Sequence, residues 1–84
     1  MKGIKVSAQD HINRSAALRG KGDYFLAALE IENNRDKFDD VSIVPALLQA
    51  FYAAKEAGDR SEAENYAREI AALDPEVPSI QDFL

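Results

Sequence analysis

His11 is the only histidine of the chain, and neither a cysteine nor paired carboxylates accompany it. A histidine acts as a general base only with a nucleophile in reach and a partner that fixes its tautomer. Neither can be named beside His11, so it is expected to face a neighbouring helix or solvent. The run Asn33, Asn34, Asp36, Asp39 and Asp40 is rich in oxygen ligands. It lacks the central glycine and the alternate spacing of a calcium loop, so a solvated connection is expected there. Gly20-Lys21-Gly22 is too short for a phosphate-binding loop and follows a helix rather than a strand, so it reads as a helix stop. No catalytic, cofactor or metal site is expected, and the chain is not expected to be an enzyme.

The tyrosines offer recognition rather than catalysis. Tyr24, Tyr52 and Tyr66 have apolar bodies and polar tips, which suit half-buried positions. Tyr52 lies about 100° round a helix from Phe51. If Phe51 points inward, Tyr52 shares a neighbouring face with Leu48 and Lys55. Tyr66 belongs to an inner stripe.

Composition limits what these residues can serve. At 84 residues the chain is one domain, and its hydrophobic fraction of 46% draws heavily on alanine. Alanine favours helix and close helix approach but contributes little buried area, so a thin core spread along helix contacts is expected. Without cysteine there are no disulfides or thiolate metal sites. Lys2 and Lys5 precede no apolar run of signal-peptide length. The longest uncharged stretch, Val41 to Ala54, contains Pro45 and is interrupted by Ser42 and Gln49; it is also too short to span a bilayer. A cytoplasmic protein without membrane contact is expected. The net charge of -5, with no basic cluster, disfavours nucleic acid and mildly favours partners with basic segments.

Four helices must position these groups. Leu47, Leu48, Phe51 and Ala54 stripe one of them, which stops at Gly58, a residue suited to the left-handed conformation that ends helices. Ser42 could cap it, but Pro45 pushes Val44 from helical geometry, so regular helix is expected to begin at Pro45. Asp59 and Glu62 have capping-box spacing, and the next helix stripes Ala63, Tyr66, Ala67, Ile70 and Leu73 before Pro75 closes it. Glu64 and Arg68 pair on its outer face. Upstream, Ser7 with Asp10 caps a helix running through Ile12, Ala16 and Leu18. Asp23 begins a further helix bearing Phe25, Ala28, Leu29 and Ile31. Ser79 and Asp82 have cap spacing for a short final helix.

The two halves repeat. Gly22-Asp23 and Gly58-Asp59 are both helix junctions, 58 minus 22 or 36 residues apart, and Ala27 and Ala63 follow their glycines at the same distance. Leu18 and Ala54 precede them likewise. The segment Gly58-Asp59-Arg60-Ser61-Glu62-Ala63, through Tyr66-Ala67 to Ala71-Ala72-Leu73-Asp74-Pro75, resembles the second helix of a tetratricopeptide repeat with its closing Leu-Asp-Pro. Gly22-Asp23-Tyr24 with Ala27 resembles the same turn in an earlier copy. The resemblance covers Ala8 to Pro75 and is closer in the second copy. No tryptophan stands at His11 or Leu47, and Phe51 occupies a place usually held by a small residue.

The resemblance implies an all-α domain of two antiparallel helical hairpins, a fragment of a right-handed αα-superhelix. Repeat one would cover about 8–40, repeat two about 42–75 and a short C-terminal cap 79–84. Helical pattern alone equally allows a plain four-helix bundle. The resemblance further implies that first helices form a concave surface holding a peptide. Here that surface would combine Leu48, Tyr52 and Lys55 with Ile12, Ala16 and Arg19; the alternative is that Leu48 and Ile12 pack together. A carboxylate clamp is not expected, since Asn13 and Arg19 find only Gln49 and Tyr52 opposite. The implied function is a protein–protein interaction module or adaptor that binds a peptide or helix in a shallow groove between hairpins. The alternatives are a homodimer-forming structural module, or a domain cut from a longer repeat protein.

Overall fold

The computed structural model describes residues 6–84; Lys2, Gly3 and Lys5 lie outside the described residues. Ser7 opens the first helix, α1 (Ala8–Gly20), through a reciprocal box. Its hydroxyl accepts the Asp10 N–H, while the Asp10 carboxylate accepts the Ser7 N–H at 2.9 Å. Asp10 is held below the ordinary carboxylate range by those Ser7 hydrogen bonds, so the cap is charged at neutral pH. After α1 come α2 (Tyr24–Glu32), a 3₁₀ turn (Arg35–Lys37), α3 (Ile43–Glu56), α4 (Arg60–Leu73) and a C-terminal 3₁₀ segment (Pro78–Phe83). Adjacent helices pack on one another, and no strand occurs among the described residues. None of these helices is long and apolar enough to cross a membrane.

The two helix junctions are built alike. Gly22 and Gly58 take φ of 81° and 80°. At the first junction the Gly22 N–H donates to Arg19 O and the Asp23 N–H to Leu18 O; at the second, the Gly58 N–H donates to Lys55 O and the Asp59 N–H to Ala54 O. Each pair satisfies the last carbonyls of a helix and turns the chain within two residues. The chain then reverses. Ser15 meets Ala27 and His11 meets Glu30, so α1 and α2 run antiparallel. Contacts from the α2 end to α4 keep a fixed offset instead, Glu32 with Tyr66 and Arg35 with Glu69, as for parallel neighbours.

The start of α3 departs from the expected one. Ser42 stands at the N-cap position but its side chain does not cap the helix: Asp39 Oδ1 accepts the Val41 and Ser42 N–H groups ahead of α3, and the Ser42 hydroxyl accepts the Asp39 N–H. This box sets the first turn early enough for regular helix to begin at Ile43, before Pro45. Proline is tolerated in the first turn because the N–H it lacks would have had no helical partner. At α4 the Asp59 side chain accepts the Glu62 N–H, as the spacing predicts.

The core is thin and alanine-rich. Ala27, Ala46, Ala50, Ala53, Ala63 and Ala67 are fully buried, and bulk comes from Ile31, Leu47, Phe51, Ile70 and Ile80. Phe51 fits where a small residue was the expectation from resemblance because Phe83 meets it edge-on, ring centres 5.2 Å apart. The C-terminal segment opens at Pro78 rather than being capped by Ser79, and Gln81 ties it back through Pro75 O and Val77 O.

Three faces differ from expectation. On α1 the buried positions are His11, Ile12 and Ser15, while Ala16 is exposed. On α2 the buried positions are Ala27 and Ile31, and Phe25 is 77% exposed. Nearly every residue of α2 is apolar, so periodicity could not choose its inner face. Leu73, the last residue of α4, is also exposed.

Candidate functional site

The seam between α1 and α2 holds His11 and Ser15, the side chains whose types suit acid–base or nucleophilic chemistry. His11 is buried, with Nδ1 2.7 Å from the Glu30 carboxylate. A carboxylate only accepts, so Nδ1 carries the proton. Nε2 has no partner among the described residues, and Phe38 stands edge-on to the ring. Ser15 lies one turn along α1, but its hydroxyl donates to the Ala27 carbonyl at 2.7 Å and the residue is fully buried. The serine proton is thus committed to the backbone of α2, and no substrate reaches it. Both side chains act as polar stitches between helices. No group of three His, Cys, Asp or Glu side chains that could hold a metal occurs among the described residues.

A second polar network ties the end of α2 to α4. Arg35 reaches Glu32 and, at 2.9 Å, Glu69 Oε1, while Tyr66 donates its hydroxyl to Glu32. The Arg35 hydrogen bonds above all hold the Glu32 carboxyl below its ordinary value against the opposing effect of burial, with a further, smaller lowering from Tyr66. Burial above all, then the Glu32 contact, pushes the Tyr66 phenol well up. Tyr66 is inward-facing, as its place on the stripe predicts.

The six residues expected to line a concave surface divide into three pairs. Arg19 and Tyr52 are brought into contact, the guanidinium 4.9 Å above the tyrosine ring. Both are occupied within the fold: Arg19 donates to Gln49 and to both oxygens of Glu56, and the Tyr52 hydroxyl bonds Ser79 at 2.8 Å. Leu48 and Ile12 pack on the core, Ile12 being buried and Leu48 half-buried. Only Ala16 and Lys55 remain exposed. At the C-terminus, Ser79 and Phe83 settle against α3 and engage Tyr52 and Phe51.

The open concavity lies elsewhere, between α2 and the α3–α4 junction, and encloses about 390 Å³. That size suits one or two large side chains. Tyr24, Ala28 and Leu29 form one wall and Ala53, Ala54 and Ala57 the other. Small residues on α3 leave the space, because alanine does not fill the gap between α2 and the α3–α4 turn. Phe25 stands on the lip, and the carboxylates of Glu32, Asp59 and Glu62 rim it. Residue spacing gives no sign of this groove. The available signal was the apolar surplus of α2, where Phe25 and Leu26 exceed what one buried face can use.

No family model, no curated protein and no solved structure matches this chain.

Proposed function

We propose that the chain is a protein–protein interaction module of tetratricopeptide-like architecture, which binds a partner's helix or peptide in the groove between its two hairpins. The observation that carries this reading is Phe25, 77% exposed at the lip of an apolar groove of about 390 Å³. A large apolar side chain left in water beside an unfilled apolar cleft is the usual mark of a recognition surface. Support for the architecture comes from two identical glycine turns spaced 36 residues apart, 58 minus 22. In this reading the binding face belongs to α2 and the α3–α4 junction rather than to the first helices, because the α1–α3 side is closed by the Arg19–Glu56 and Tyr52–Ser79 bonds.

The test replaces Phe25 by Asp. Removing so exposed a side chain should leave stability within about 0.5 kcal/mol of the parent. A protein retained by the parent chain should be lost by Phe25→Asp and kept by Lys55→Glu, which changes a residue outside the groove lining. Retention by Phe25→Asp with loss by Lys55→Glu would place the binding face outside the groove and refute it.

A further inference from the structure

The charge around the groove identifies what it takes. Its lining includes three carboxylates, Glu32, Asp59 and Glu62, and no lysine or arginine. Helix α2 has no basic residue along Tyr24–Glu32. Two cations of the flanking elements are committed to carboxylates, while Lys55, beside Ala54 on α3, is exposed but is not among the groove-lining residues. Arg35 is held between Glu32 and Glu69, and Arg60 pairs with Glu64 while its guanidinium lies over Phe83. Asp59 and Glu62 have no ion pair among the described residues, although the Asp59 carboxylate accepts the Glu62 N–H. Charges beside an apolar, water-poor wall act over a longer reach than the same charges in open solvent.

Resting on the reading of this groove as the binding face, we infer that its occupant is a basic amphipathic segment: a large apolar anchor between the walls, with lysine or arginine on the flanking turns opposite Asp59 and Glu62. A second copy of the chain fits badly. Two-fold pairing through the groove would bring both sets of carboxylates together on molecules that each carry -5. The anchor accounts for the apolar walls and exposed Phe25, and the flanking cations account for a rim of one sign. Electrostatic complementarity of this kind speeds encounter and excludes acidic competitors.

The experiment uses two synthetic amphipathic peptides of about 18 residues, five helical turns. They share one leucine face and differ in a polar face of lysine or of glutamate. Each is titrated into the ¹⁵N-labelled chain while the amide signals of Phe25, Leu29 and Ala57 are followed. The lysine peptide should shift these amides and bind at least about tenfold more tightly than the glutamate peptide, as expected for close opposite charges. Phe25→Ser should weaken the lysine peptide by a similar factor, and Asp59→Asn with Glu62→Gln should erase the preference between peptides. Equal binding of both peptides in the groove overturns the charge inference and leaves the groove reading standing. Lysine-peptide binding that ignores Phe25→Ser, with shifts scattered over the acidic surface, overturns it as non-specific attraction. Groove amides that move with neither peptide refute the groove itself. Movement with protein concentration alone makes the occupant a second copy.

Discussion

Replacing glycine by alanine at Gly20 and at Gly58 should change stability in opposite directions, although the chemical change is the same. A β-carbon added at either position meets nothing within 4 Å, so neighbouring side chains drop out of the comparison. In the unfolded chain both replacements remove the same backbone freedom, which stabilises the fold by about 0.4–1 kcal/mol where the native conformation is compatible. Gly20 ends α1 without a positive φ and receives that gain in full. Gly58 sits at φ 80°, where a β-carbon approaches the following carbonyl at a cost of roughly 1–2 kcal/mol. Because the unfolded-state contribution is common to both variants, their separation equals that left-handed cost alone. An unfolding entropy of about 2.1 cal/mol/K per residue gives roughly 0.18 kcal/mol/K for a chain of this length, so the two melts should lie about 6–11 °C apart. Circular dichroism melts of the parent, Gly20→Ala, Gly22→Ala and Gly58→Ala settle the matter. Gly22→Ala, at φ 81° with equal open space, must follow Gly58→Ala. Coincident melts for Gly20→Ala and Gly58→Ala would refute the assignment of these turns.

Two further outcomes follow from packing and from charge. Ala63 is fully buried on α4, so Ala63→Leu should overpack the helix contact by roughly 1–3 kcal/mol; an unchanged melting temperature would contradict that close approach. Glu32 is held below its ordinary 4.5 chiefly by Arg35, and Glu56 below the same value by Arg19. A lowered folded pKa stabilises above the unfolded value and is lost as pH falls through the folded one. The melting temperature should therefore hold from neutrality to about pH 5 and decline below it. Arg35→Met should make that decline shallower, and an equally steep decline would remove Glu32 from the account.

Much of the helical plan was legible because it depends on neighbours in sequence. The Ser7–Asp10 box, the Asp59–Glu62 bond and the glycine stops at Gly22 and Gly58 involve groups within a few residues, and each forms as its spacing predicts. The α4 stripe was legible too, since polar residues separate Ala63, Tyr66, Ala67 and Ile70 and leave one buried face. The start of α3 was only partly legible: Ser42 holds the N-cap position that its residue type suggests, but its side chain bonds back to Asp39 instead of capping the helix, and regular helix begins at Ile43, two residues before Pro45.

The sequence by itself therefore determined four helices, their stops and an alanine-rich core, all from local hydrogen bonding and helical period. Tertiary structure decided the faces of α1 and α2. His11 faces the neighbouring helix, one of the two outcomes expected of it, and Glu30 and the Ala27 carbonyl supply the bonds that make the burial of His11 and Ser15 tolerable. Phe25 looks like core until Ala27 and Ile31, half a turn round the same apolar helix, take the inner positions. The candidate site was settled at the same level. Tyr52 is exposed on an isolated α3 and becomes engaged only when Arg19 and Ser79, both distant in sequence, dock beside it. The groove exists because α2 and the α3–α4 junction meet across alanines too small to fill the space between them, a property of the contact between elements rather than of any one of them.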